Sequence, residues 1–112
     1  MVLVAILLIS ASVSAYAATS RTTSIMPSLS FEGTTAKCQV TVVGNSTSEV
    51  IGVTVKLWYG STCLQTWTAS GNGYVVLSKT ATVTAGRTYK MTVDVTINGV
   101  AENRISKTGT CS

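Results

Sequence analysis

Hydrophobic residues follow two different patterns along this chain. From Met1 to Ile9 they form one unbroken run, followed by Ser10, Ser12 and Ser14 and then by small residues up to Ala17 and Ala18. From Ser28 onward, apolar and polar residues alternate, no segment has helical period, and turn residues recur at short intervals. Alternation at period two marks a strand with one face buried and the other wet, because successive side chains leave opposite faces of the pleat.

The alternating part reads as a series of strands. A first strand is expected near Ser28 to Phe31. Ala36, Cys38, Val40 and Val42 share one face of the next, with Lys37, Gln39 and Thr41 between them, and Gly44-Asn45-Ser46-Thr47-Ser48 ends it. Ile51, Val53, Val55, Leu57 and Tyr59 then alternate with Gly52, Thr54, Lys56 and Trp58. Gly60-Ser61-Thr62 turns the chain into a shorter strand from Cys63 to Ala69, and Ser70-Gly71-Asn72-Gly73 turns it again. Val75, Leu77, Ala81 and Val83 lie in a strand that Ala85-Gly86-Arg87 terminates. Tyr89, Met91, Val93, Val95 and Ile97 share one face of the clearest strand, against Lys90, Thr92, Asp94 and Thr96 on the other. Asn98-Gly99 is a strong two-residue hairpin signal, since a type I′ turn needs positive φ at both positions. Val100 to Cys111 returns as the last strand. About seven short strands with one wet face each predict an all-β fold, an antiparallel sandwich rather than a barrel.

The opening run predicts something else. An apolar core of about 8 to 12 residues falls short of the roughly 20 that a bilayer-spanning helix takes, and it matches the h-region of a secretory signal peptide. Ala15-Tyr16-Ala17 supplies small residues at the −3 and −1 positions, so cleavage is expected before Ala18. No Lys or Arg precedes the run, which departs from the usual signal and points to a start that is truncated or lies upstream. The expected organisation is therefore a signal peptide over 1–17, a flexible polar lead-in over 18–27 and one domain over 28–112. No second apolar stretch follows, so a secreted, extracellular product without its own transmembrane anchor is expected.

One stretch carries a resemblance. Thr82-Val83-Thr84-Ala85-Gly86-Arg87-Thr88-Tyr89-Lys90-Met91-Thr92-Val93 resembles the strand–turn–strand stretch of bacterial immunoglobulin-like domains, in which a Gly ends one strand and a Tyr three residues later begins the next. Together with Ser30-Phe31-Glu32-Gly33-Thr34-Thr35-Ala36-Lys37-Cys38 and Leu57-Trp58-Tyr59-Gly60, it makes the chain similar to small secreted immunoglobulin-like proteins of unknown function from Gram-positive bacteria of the Firmicutes type. The resemblance implies a structural role for Gly86 and Tyr89, the Tyr89 hydroxyl bonding back to the preceding turn as a tyrosine corner. It departs from antibody domains two residues after the tyrosine, where Met91 stands instead of cysteine. It implies a scaffold and no active site.

Charge and chemistry narrow the function. Eight basic and four acidic residues give a net charge of +4, and the basic ones form no run. Such a dispersed excess favours attraction to anionic wall polymers and argues against nucleic acid. The chain has no histidine, which removes the commonest general base and the usual zinc sites. Glu32, Glu49, Asp94 and Glu102 are scattered along it, and no calcium loop or phosphate-binding loop is present. No catalytic residue, metal or cofactor is therefore assigned.

Two residue types remain. In an oxidising compartment, Cys38, Cys63 and Cys111 predict one disulfide and one thiol left over, which could join two copies. Topology gathers all three near one end of the sandwich and excludes no pairing. Cys38–Cys111 is favoured because it ties down the last strand, with Cys38–Cys63 as the alternative. Closing a loop of that length would stabilise by about 4 kcal/mol in the chain-entropy view. Trp58 faces away from the core set, with Thr54 and Lys56 on the same side, and the three form a candidate ligand-binding face. Trp67 cannot be placed on a face. The expected function is a non-enzymatic extracellular interaction or structural module meeting a wall polymer, a glycan or a protein, the alternative being a small secreted effector such as an inhibitor or toxin-like protein.

Overall fold

A computed structural model describes residues 23–112. The signal segment expected over 1–17 and the start of the lead-in lie outside the described residues. Within them there is no helix. Eight strands follow one another: β1 (Ser24–Glu32), β2 (Thr35–Val43), β3 (Val50–Tyr59), β4 (Thr62–Asn72), β5 (Tyr74–Thr82), β6 (Thr88–Ile97), β7 (Val100–Ala101) and β8 (Ile105–Thr110). All pairings are antiparallel and fall into two sheets packed together, one ordered β1-β2-β5 and the other β4-β3-β6, with β7 and β8 both paired to the far side of β6. The chain changes sheet between β2 and β3, between β4 and β5, and between β5 and β6.

The core is the inward set of the alternating strands. Val40, Val53, Val55, Leu57, Tyr89, Met91, Val93 and Val95 are all buried, as are Ala36, Cys38, Val42, Ile51 and Cys111. A period-two strand fixes its own register here, because a one-residue slip would turn the whole apolar row into water.

The boundaries differ from the sequence expectation in three places. β1 begins at Ser24 rather than near Ser28, so Ser24 to Pro27 of the expected lead-in are paired with β2, Pro27 opposite Val40. β1 is an edge strand, and a proline is tolerated there because its missing N–H need not face the ladder; Ile25 and Leu29 pack against the core and hold the strand down. β4 runs on to Asn72, because Ser70, Gly71 and Asn72 stay in register with Gly52, Ile51 and Val50 and leave only Gly73 for the turn. The last strand is split: the chain leaves the ladder after Ala101 and rejoins it at Ile105, while the Glu102 N–H still reaches the Val95 carbonyl at 2.8 Å.

The two ends of the sandwich are built differently. At one end, Tyr89 packs at 5.6 Å from Tyr59 and 6.0 Å from Phe31, ring centre to ring centre, and the Arg87 guanidinium lies 4.5 Å over the Tyr59 ring. The Tyr89 hydroxyl accepts the Thr84 N–H at 2.8 Å, and Cys111 donates its own N–H to the Arg87 carbonyl at 2.9 Å and its thiol to the Gly33 carbonyl at 3.1 Å. Gly109 allows β1 and β8 to meet: a Cβ there would stand 2.8 Å from the Phe31 ring. The opposite end is closed by backbone. Gly44 donates to the Gly73 carbonyl and Gly73 donates to the Glu49 carbonyl, both at 2.9 Å. Asn98, with φ at 51°, accepts the Val50 N–H on its side chain at 2.8 Å and opens the hairpin to Gly99, whose φ is 82°.

Candidate functional site

The two outer faces are the places where this fold can meet a ligand. On the larger sheet, β3 presents Gly52, Thr54, Lys56 and Trp58. The register sets them against Thr96, Asp94, Thr92 and Lys90 of β6 on one side, and against Ser70, Thr68, Thr66 and Cys63 of β4 on the other. Residues directly opposite in an antiparallel pair point the same way, so these side chains form one polar surface, mostly hydroxyls and lysines with the Asp94 carboxylate and the Cys63 thiol, around a single indole.

Trp58 is half-buried on that surface. Its Nε1–H donates to the Thr92 hydroxyl at 2.9 Å, and the Lys56 ammonium stands 5.9 Å from the ring centre. The indole therefore lies across β6 with its orientation set by one hydrogen bond. Thr92, which alternation alone places on a wet face, is only 2 % exposed. The alternation assigns it to the correct side of the sheet. What it misses is the indole of a neighbouring strand lying over it, and no sequence-local signal reports that. Thr54 shares the face one position farther along the strand.

Other candidate residues are placed as follows. Trp67 is on the inner side, opposite Val55, and packs partly against the core, so the two tryptophans occupy opposite faces. Cys63 is exposed beside Trp58 on the outer face, its thiol 3.4 Å from the Gln65 carbonyl and from the Thr66 hydroxyl. Cys38 and Cys111 are buried, and all three cysteines are free thiols here. Burial pushes the Cys38 thiol up to about 11, because an apolar surrounding disfavours the thiolate. Gly86 lies in the β5–β6 turn and Tyr89 at the start of β6, both at the aromatic end.

The acidic groups do not converge. Asp94 takes two hydrogen bonds from Arg104, at 2.8 and 3.1 Å, and this pairing holds the guanidinium above its ordinary value. Glu49 accepts the Asn45 N–H at 2.7 Å within the β2–β3 loop. Glu32 lines a shallow depression of about 320 Å³ on the outer face of the smaller sheet, with Ser30, Phe31, Thr35, Lys37 and Thr80. That depression holds one carboxylate and one ammonium on a floor of hydroxyls, with no second acid for general acid–base work. Among the described residues no three potential metal ligands gather. Compared with protein-family models, with curated proteins and with solved structures, the chain matches none.

Proposed function

We propose that this chain is an exported, non-enzymatic interaction module with an immunoglobulin-like sandwich, and that it meets a glycan or wall polymer on the outer face of its larger sheet. The observation that carries the ligand reading is Trp58: a half-buried indole, fixed by Thr92, on a polar face that also carries Thr54, Lys56, Lys90 and the Asp94–Arg104 pair. A pyranose ring stacked on it gains dispersion and apolar contact, while Lys56 and Thr54 are within the same surface to bond hydroxyls or an anionic group. A net charge of +4 favours an acidic polymer.

Two features support the immunoglobulin-like reading. Strands β1, β2 and β5 face β4, β3, β6 and β8, and the tyrosine at the start of β6 bonds back to Thr84 in the preceding turn. Export rests on the apolar run and the Ala15-Tyr16-Ala17 pattern. Under this reading an oxidising compartment pairs Cys38 with Cys111, and the exposed Cys63 is the thiol left over.

The test is a glycan and wall-polymer array with the purified protein. Trp58→Ala is expected to weaken binding about thirtyfold, which corresponds to roughly 2 kcal/mol for an aromatic anchor. Its stability should fall by only about 1 kcal/mol, for the lost bond to Thr92. A wild-type protein that binds nothing on the array, together with a Trp58→Ala variant that fails to fold, makes the indole a structural cover and ends the reading.

A further inference from the structure

The basic residues, scattered along the sequence, are gathered by the fold. Lys37, Lys56, Lys79, Arg87, Lys90 and Lys107 all lie toward the aromatic end, where Glu32 is the only acidic side chain among the described residues. Glu49 and Glu102 stand toward the opposite end. Asp94 and Arg104 lie between and neutralise each other. The net charge of +4 is thus carried by one half of the molecule, and an anionic ligand is drawn to the half that holds Trp58.

Two of these cations share the indole's own face. Lys90 is directly opposite Trp58 in the ladder, and Lys56 is directly opposite Thr92. The four positions make a square. The indole runs along one diagonal, from Trp58 to the Thr92 hydroxyl, and the two lysines occupy the other corners. Diagonal neighbours of this kind are about 7–8 Å apart at the backbone, so the lysines flank the ring on its two sides. The Lys56 ammonium already stands 5.9 Å from the ring centre, and Lys90 is exposed. Neither has a carboxylate partner: among the described residues the one ion pair is Arg104 with Asp94. Beyond β6, the β8 strand sets exposed Thr108 beside Lys90 and exposed Ser106 beside Thr92.

We infer that this square takes a sugar ring flanked by two phosphodiesters, the repeat of a polymer whose sugars are joined through phosphate. The inference rests on the reading that a glycan meets Trp58, and it adds the ligand's charge and linkage. The ring stacks on the indole, the phosphate on either side meets Lys56 or Lys90, and Ser106 and Thr108 offer hydroxyls at the margin. Two features select phosphate over carboxylate. A uronate carries one charge per ring, whereas phosphodiester links place a charge on both sides of it, as the lysines are placed. Bidentate recognition of a carboxylate calls for a guanidinium, and Asp94 already holds the one on this face, while an ammonium meets phosphate as a point charge.

Calorimetric titration of the purified protein, in reductant, tests this with five probes of matched length. They are a glucose oligomer linked through phosphodiesters, a neutral glucose oligomer, an oligogalacturonate, a polyphosphate and single-stranded DNA. The phosphodiester-linked oligomer is expected to bind at least about tenfold more tightly than any other, and to weaken as salt rises from about 0.05 to 0.5 M. Lys90→Gln should lower that affinity about fivefold to tenfold and leave the neutral oligomer within about twofold. Lys79→Gln removes the same charge from the smaller sheet, about 10 Å away, and should change the affinity less than about twofold at 0.15 M salt, where the Debye length is about 8 Å. Equal binding of the neutral oligomer, abolished by Trp58→Ala, overturns the inference and leaves the glycan reading standing. Polyphosphate or DNA binding as tightly as the sugar–phosphate oligomer overturns it too, because the face is then a plain polyanion patch. A preference for oligogalacturonate, or equal losses from Lys79→Gln and Lys90→Gln, does the same. Binding of no probe ends both readings. The order of the probes is read on the unaltered protein, so a variant that fails to fold leaves the test intact.

Discussion

The two ends of this sandwich solve one problem by opposite means. Each must close several chain reversals over a core of valines. The aromatic end does so with side chains: Phe31, Tyr59 and Tyr89 pack ring to ring, Arg87 covers them, and the tyrosine hydroxyl and Cys111 thiol satisfy backbone groups. The opposite end does so with close backbone approach through Gly44 and Gly73, and it leaves Val43, Val50, Tyr74 and Val100 exposed. The glycines show the contrast best. Gly33, Gly60 and Gly86, all at the aromatic end, have open space where a Cβ would go, whereas a Cβ on Gly73 would stand 2.7 Å from Thr47 Cα. Gly109 and Gly99 are the exceptions: the first makes room for the Phe31 ring at the aromatic end, and the second, at the opposite end, has open space and supplies only a turn.

That contrast can be broken at either end. The largest loss is expected from Tyr89→Ala, about 3–5 kcal/mol in denaturant unfolding, because it removes a buried ring and orphans the Thr84 N–H. A loss below about 1 kcal/mol would show that the aromatic cluster is ornamental. Gly73→Ala comes next, at about 2–3 kcal/mol, combining a positive φ of 76° with a backbone clash. Gly86→Ala, with a φ of 88° but no clash, should cost only about 1 kcal/mol. Equal losses at Gly73 and Gly86 would mean that turn conformation alone, and not close approach, governs the opposite end.

The smallest effect concerns the thiols, all of which lie toward the aromatic end. In the reduced protein a thiol reagent should modify Cys63 rapidly, and Cys38 and Cys111 only as the domain opens. The sign of the accompanying pH dependence follows from burial. Cys38 titrates near 11 when folded and at about 9 when unfolded, so the folded state holds its proton more tightly. Its contribution is complete below pH 9 and fades as pH rises toward 11. Melting curves between pH 8 and 11 should show a shallow decline that Cys38→Ala removes. A rise over that interval would contradict the burial argument.

How much of this was legible beforehand depends on whether the cause was local. The core was, because Val93 and its neighbours at spacing two leave only one register that hides them all. So was the hairpin at Asn98-Gly99, where the turn needs a conformation that these residues tolerate. The outward face of β3, with Thr54, Lys56 and Trp58, was legible as a set. The rest depended on contacts between residues far apart in sequence. Thr92 is buried by an indole that lies on it from a different strand. Asn72 stays in the sheet because Val50 pairs with it, although its own neighbours spell a turn. Ser24 to Pro27 form a strand because Val43 to Val40 lie opposite. That the cations gather toward one end emerges only once the strands are ordered.

The meeting of β1 with β8 has a consequence for how the domain comes to be folded. Gly109 rests on Phe31 and Leu29, and the Cys111 thiol reaches the Gly33 carbonyl, so the first and last described strands are neighbours. A chain that is made, or threaded, from its N-terminus presents β1 long before β8 exists. Its earliest described strand must therefore wait for β8 before Leu29 and Phe31 gain their last neighbour at Gly109. Contacts of such long sequence separation make folding slow, on the order of milliseconds to seconds for all-β domains of this kind. The last described strand is thus the cover under which the first one rests.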